Sequence, residues 1–139
     1  MADALVDTGV FLALLSRTDR WHGAATKALR APSGRLLTSW AVLTETVHMI
    51  GRPEASIALL EHVAQGAVDL PHLGVTEAEA IAWYFRKYGD LKPDLADLSL
   101  LVLSDLTRTT TILTFDSDFL IYRTRSGRAL SCPLLAKRG

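Results

Sequence analysis

Short apolar runs alternate along this chain with longer stretches in which apolar residues recur every three or four positions; the first pattern suits buried strands, the second amphipathic helices. Ala4 to Val6 reads as a first strand, and Phe11 to Leu15 begins a helical stretch. A helix over His22 to Arg30 stops before the turn signal Pro32-Ser33-Gly34. Leu36 to Thr38 forms a second strand, followed by a helix from Ala41 to Ile50 that ends at Gly51-Arg52-Pro53. Ile57, Leu60 and Ala64 fall at helical spacing within Glu54 to Gln65, and Pro53 suits the first position of that helix. After Gly66, Ala67 to Leu70 is a third strand closed by Pro71. Thr76 with Glu79 three residues later has the form of a capping box, opening a helix that runs to about Tyr88 and stops at Gly89. A leucine-dense helix then covers Asp94 to Leu106, Thr111 to Thr114 makes a fourth strand, and Ala129 to Cys132 a fifth. Strands alternating with helices predict βαβ units, right-handed crossovers and a parallel sheet covered on both faces.

Composition narrows the setting. With 139 residues, 49% of them hydrophobic, the chain reads as a single domain, residues 1–139, able to build its core without disulfides or structural metal. The lone Cys132 has no intramolecular partner and reads as a small buried hydrophobe, which favours a reducing compartment. No basic segment leads into an apolar core at the N-terminus, and no apolar run reaches the ~20 residues that span a bilayer. The expectation is a cytoplasmic protein with no membrane partner. A net charge of zero conceals an asymmetry: residues 1–118 hold ten basic and all fifteen acidic side chains, whereas residues 119–139 hold Arg123, Arg125, Arg128, Lys137 and Arg138 and no acid. Such a basic end is either a solvated tail or a surface for phosphates.

In open parallel sheets, function gathers at the carboxyl ends of the strands. That rule selects Asp7, at the end of the first strand in LVDTGVFLAL, and Asp116, just past the fourth in ILTFDSDF, with Asp118 two residues further on. Glu45 in WAVLTETVHMI and Asp97 in PDLADLSLLVLSDL lie within otherwise apolar helices, where an unpaired carboxylate is costly. Each acid has an ordinary reading: a solvated helix face for Glu45, a turn residue for Asp116, and placement near the positive end of a helix dipole for Asp94 and Asp97. Taken together, Asp7, Glu45, Asp97 and Asp116 fall at one sheet edge, where converging carboxylates must either rise in pKa or bind a metal. Oxygen donors without convergent histidines suit magnesium or manganese better than zinc. His22, His48, His62 and His72 are scattered and read as surface or capping residues. Trp21 and Trp40 read as packing residues, while Trp83-Tyr84-Phe85 with Tyr88 spreads aromatics over several sides of one helix, part core and part a patch for a partner or a homodimer.

Asp7-Thr8-Gly9 is also the tripeptide around the catalytic acid of a retroviral-type aspartic protease, but that fold is nearly all β, and here the tripeptide runs into a helix. The segments LVDTGVFLAL, LLTSWAVLTETVHMI, DLADLSLL and ILTFDSDF, in that order over essentially the whole chain, resemble a PIN-domain protein of the VapC-type toxin ribonucleases found in bacterial toxin–antitoxin pairs. The resemblance implies a three-layer α/β/α fold with a five-stranded parallel sheet in the order 3-2-1-4-5. It also implies a metal-dependent endoribonuclease that uses one or two magnesium or manganese ions, an RNA substrate, a cognate antitoxin and a homodimer. Carried over by motif, Asp7, Glu45, Asp97 and Asp116 match the family's acidic quartet, with Asp7, Asp97 and Asp116 as metal ligands, joined by Asp118. Thr8 and Thr114 match hydroxyl residues that orient carboxylates, and Gly9 lets the chain turn into its helix. Arg123, Arg125 and Arg128 would hold RNA phosphates. The alternative is a PIN module without catalysis that binds nucleic acid or a regulatory protein. A phosphoacceptor receiver domain fits poorly, because Lys137 lies too near the end to serve as its lysine.

Overall fold

The computed structural model describes residues 3–30 and 32–136. At its centre, β1 (Ala4–Val6) pairs in parallel with β2 (Leu36–Leu37) on one side and β3 (Ile112–Leu113) on the other. Leu5 stands opposite both Leu37 and Ile112, and Val6 opposite Leu113. Every residue of these strands is buried, so they read as unbroken apolar runs rather than alternating ones.

The sheet has three strands among the described residues, not the expected five. Where the third and fifth were expected, single parallel bridges remain, Leu37 to Asp69 and Thr111 to Ser131. Their sequence across the sheet follows the expected path, but the ladders stop short. Pro71 and Pro133 close the two outer segments and have no N–H to extend the pairing.

Seven helices surround the sheet among the described residues: α1 (Thr8–Leu15), α2 (His22–Arg30), α3 (Trp40–Ile50), α4 (Pro53–Ala64), α5 (Val75–Tyr88), α6 (Leu95–Thr107) and α7 (Pro133–Ala136). None is long and apolar enough to cross a membrane. The leucine-dense α6 packs against α3, α5 and β1 and buries Leu98, Leu100, Leu101 and Leu103 completely. Each such side chain contributes about 1.5–3 kcal/mol by leaving water. Gly51, at φ 62°, ends α3 in the left-handed conformation that glycine adopts without strain.

Local details depart from expectation at three points. The N-terminal box of α5 is formed by Gly74 and Glu77, not Thr76 and Glu79: the Gly74 N–H donates to Glu77 Oε1 at 2.7 Å. A Cβ there would lie 2.6 Å from His72 Nε2, so the exposed His72 ring sits over the glycine and would have to move aside for a larger residue. Glu79 is thereby freed for ion pairs with Arg86 and Arg125. Trp40 is not a packing residue, being 64% exposed, whereas half-buried Trp21 stacks on Phe115 at 4.7 Å. Gly9 sits in a regular helical turn, and a Cβ there would meet nothing within 4 Å.

Candidate functional site

β1 ends by handing its next residue, Asp7, to α1 as the N-cap. Both carboxylate oxygens are engaged: Oδ1 accepts the Thr8 N–H and Oδ2 accepts the Thr114 hydroxyl, each at 2.8 Å. Asp7 is only 5% exposed, and burial pushes its carboxyl up to about 6. The two hydrogen bonds oppose that rise, and the charges of Asp116 and Asp94 add to it. Thr114, fully buried one residue past β3, also accepts the Asp116 N–H at 2.9 Å, so a single hydroxyl ties the first and last acids together. Asp116 Oδ1 in turn accepts the Asp118 N–H at 2.9 Å and caps a short 3-10 turn, Ser117–Leu120.

The remaining acids arrive on two helices that are clamped at their N-terminal ends. Ser39, the N-cap of α3, meets Ser99 of α6 with hydroxyl oxygens 2.6 Å apart, and Ser99 donates to the Ala96 carbonyl, which leaves Ser39 as the donor between them. One turn further along α3, Glu45 is hydrogen-bonded to the carboxyl of Asp94. Asp94 is the N-cap of α6, with its Oδ1 accepting the Asp97 N–H at 2.8 Å. That carboxyl pair, with burial, moves Glu45 up to about 7. Asp97 moves to about 8, first through burial and then through the charges of Asp7 and Asp94. Asp118 is raised by burial and by the charge of Asp116.

Asp7, Glu45, Asp97 and Asp116 therefore share one electrostatic neighbourhood, and Asp94, read from sequence only as a helix cap, belongs to it as well. Its local signal was complete, and its pairing with Glu45 is a contact between helices that no local pattern announces. An open cleft of about 460 Å3 lies over Asp7 and Asp116. Gly9 and Ser117 line it, together with the apolar side chains of Leu12, Met49 and Phe115.

The donors fit a hard divalent cation in kind: carboxylates and hydroxyls, with no thiolate or imidazole among them. Two buried hydroxyls, Thr8 Oγ1 and Tyr122 Oη, complete no hydrogen bond among the described residues. The Thr8 hydroxyl faces Glu45 and favours its charged form, yet at a geometry short of a full hydrogen bond. Among the described residues, no three acidic or histidine side chains are drawn close enough to ligate an ion. The cluster instead offsets its own repulsion with a carboxyl pair and raised pKa values.

The basic segment is more occupied than its charge implied. The Arg123 guanidinium folds back on the carbonyls of Leu120, Ile121 and Tyr122. Arg125 pairs with Glu79 at 3.2 Å and lies 5.0 Å from the Trp83 ring centroid. Arg128 is exposed, and its side chain meets no partner among the described residues. Lys137 and Arg138 lie outside the described residues. One cation was overlooked: Arg20 stacks 4.2 Å over Trp21, whose ring covers Phe115 at the cleft.

The fold and this acidic edge define the class. The chain belongs to the PIN domain family, whose family model matches residues 4–124. It is 31% identical over 115 residues to Ribonuclease VapC26 of Mycobacterium tuberculosis, covering 81% of this chain and 85% of that protein. A crystal structure of Mycobacterium tuberculosis VapC20, described as a Sarcin-Ricin loop cleaving toxin, shares the fold with a TM-score of 0.75 at 20% identity, over 83% of this chain and 91% of that one. Within the family it is thus a VapC-type protein.

Proposed function

We propose that residues 1–139 form a single nuclease domain, a cytoplasmic endoribonuclease toxin that hydrolyses RNA phosphodiester bonds and is held in check by a cognate antitoxin. The observation that carries the reading is the uncompensated acidic edge: Asp7 and Asp97, raised to about 6 and about 8, lie beside Asp116 and Glu45, and among the described residues no cation pairs with them. The 31% identity to a protein named as a ribonuclease supports it. Asp7, Asp97 and Asp116 would hold one or two magnesium or manganese ions, with Asp118 at the margin. A bound ion polarises the phosphate and lowers the pKa of a coordinated water.

This chain's residues then have distinct tasks. Thr114 and the Thr8 N–H fix both oxygens of Asp7, so its ligating direction is set before substrate arrives. Glu45, half-buried and near neutrality, is placed to accept the proton of the attacking water at its carboxylate. The cleft accommodates the strand, with Met49, Leu12 and Phe115 as an apolar wall for an unpaired base. Arg128, exposed and without a side-chain partner among the described residues, and Arg20, stacked on Trp21, are the cations we assign to phosphates; Arg123 and Arg125 would reach them only by giving up internal partners. A homodimer would use the exposed aromatic patch of α5, where Phe85 is 40% exposed.

Incubation with total RNA and manganese tests the reading. Discrete cleavage ends that vanish on chelation and in Asp7→Asn are expected. Cleavage that persists in metal-free buffer, or in Asp7→Asn, would contradict it.

A further inference from the structure

Phe115, between Thr114 and Asp116 in the chain, lines the cleft over the acids. Trp21 stacks on it with ring centroids 4.7 Å apart and planes 18° from parallel, and the Arg20 guanidinium lies 4.2 Å over the Trp21 ring. Three flat groups are thus layered from the cleft wall to an exposed cation.

The turn that carries Arg20 and Trp21 is pinned on both sides. Asp19 accepts the Trp21 N–H on its carboxylate at 2.8 Å and the His22 N–H on its carbonyl at 3.0 Å, and His22 Nδ1 lies 2.9 Å from the Ala13 carbonyl. Before the turn, Arg52 donates to the Leu15 carbonyl at 2.8 Å. Trp21 is therefore held by contacts that do not involve Arg20. The guanidinium itself donates to no carboxylate or carbonyl among the described residues, although Asp19 is its neighbour in the chain. An arginine stacked on a ring keeps its in-plane N–H donors available, and a guanidinium already ordered loses less freedom when a phosphate arrives. The surrounding charge has the matching sign: residues 16–30 hold Arg17, Arg20, Lys27 and Arg30 against Asp19 alone. Beside an acidic cleft, such cations are what a polyanion needs in order to approach.

We propose that the Arg20–Trp21–Phe115 stack is a substrate subsite: the Arg20 guanidinium binds a backbone phosphate of single-stranded RNA flanking the cleaved bond, and Trp21 is a positioning residue that holds the guanidinium at the rim of the cleft. The inference rests on the proposed ribonuclease function and adds to it a binding site built on the turn between α1 and α2. The phosphate lies outside the reacting bond, so the contact favours substrate and transition state alike and acts on KM rather than kcat.

Binding of a fluorescein-labelled single-stranded RNA to the full chain, followed by fluorescence anisotropy in EDTA over a series of potassium chloride concentrations, reads this contact apart from cleavage. Arg20→Gln should bind about tenfold more weakly, and its slope of log affinity against log salt should be shallower by about 0.7, the value for one phosphate of a single strand. Trp21→Leu should show the same weakening and Trp21→Phe should recover most of it, with melting temperatures confirming that each variant folds. Lys27→Gln, an exposed cation of the same segment that stacks on no ring among the described residues, should change affinity by less than about twofold. With manganese present, Arg20→Gln should raise KM about tenfold and leave kcat within about twofold of the parent value.

Parent-like affinity and salt slope in Arg20→Gln would overturn the subsite, and so would an equal loss in Lys27→Gln, which would make the effect one of diffuse charge. Recovery by neither Trp21→Phe nor any other aromatic at that position would overturn the role of the stack. A parent protein that cleaves RNA while Arg20→Gln binds and cleaves just as well loses the subsite alone. If the parent protein neither binds nor cleaves RNA, the functional reading falls with it.

Discussion

The central strand carries a carboxylate at each end, and the two are treated in opposite ways. Asp3, just before β1, receives the Arg35 N–H at 2.8 Å and its guanidinium at 3.1 Å, and these contacts hold its carboxyl below the usual range. Arg35 reaches Asp69 too, at 3.3 Å, so one cation closes that end of the sheet. Asp7, just after β1, receives hydroxyl and amide donors but no cation among the described residues, and its carboxyl is raised by the charges of Asp116 and Asp94. Among the described residues, then, arginine pairs with the acid at one end of the strand and no cation pairs with the acid at the other, the contrast on which the proposed site rests. The proposed divalent ion would relieve the charge repulsion retained there.

The largest consequence to break is catalytic. Asp7→Asn should reduce RNA cleavage by at least ~100-fold, beyond the effect of losing an outer-shell partner, while the metal-free protein melts at a higher temperature because a buried charge has gone. Asp3→Asn, the matching change at the other end, should leave cleavage unaltered. Comparable losses in both variants would erase the distinction between the two ends.

Next comes Thr114→Val, which keeps the shape but removes the hydroxyl that joins Asp7 to Asp116. Cleavage should fall by ~10–100-fold with manganese affinity falling in parallel. A variant with full activity would show that Asp7 orients itself.

The pH dependence of stability sharpens the contrast further. Asp7, Glu45 and Asp97 titrate near 6, 7 and 8 in the folded protein, above the ordinary carboxyl range near 4 of the unfolded chain. The folded state therefore binds more protons across this interval, and metal-free stability should fall as pH rises from about 5 to about 8. Asp3 has the opposite sign: its contribution is present above the ordinary pKa and is lost as pH falls through its lowered value. Melting curves recorded with chelator from pH 3 to pH 9 should thus pass through a maximum on the acid side of neutrality. A monotonic rise to pH 8 would mean the acids are not buried as described.

Smaller effects test the clamp. Ser99→Ala breaks the contact with Ser39 that sets Glu45 beside α6 and should cost about 1 kcal/mol in stability with a loss of cleavage below tenfold. Arg35→Ala, at the satisfied end, should lower the melting temperature slightly and leave cleavage intact.

What could be read from the sequence follows the range of the interactions involved. Asp7 and Asp116 were legible because strand ends are announced by short apolar runs and the topology brings their carboxyl ends together, whereas Thr114 came only from the family resemblance. Helix α2 was legible from a turn signal on its C-terminal side, and α3 from the Gly51 stop. Asp94 was half legible: its capping role is local, but its pairing with Glu45 depends on the serine clamp between α3 and α6. The engagement of Arg125 by Glu79, 46 residues earlier, and the isolation of the Tyr122 hydroxyl are set by packing alone. Likewise, the outer pairings shrink to single bridges because prolines close their segments, which apolar composition does not reveal.

The most direct measurement is a calorimetric titration of the metal-free protein with manganese at pH 7, in two buffers of different ionisation enthalpy. Binding that releases protons, as Asp97 and Glu45 give theirs up to the ion, and that disappears in Asp7→Asn but persists in Asp3→Asn, is the predicted result. No binding, or binding without proton release that Asp7→Asn leaves unchanged, would contradict the assignment of this acidic edge as a metal centre.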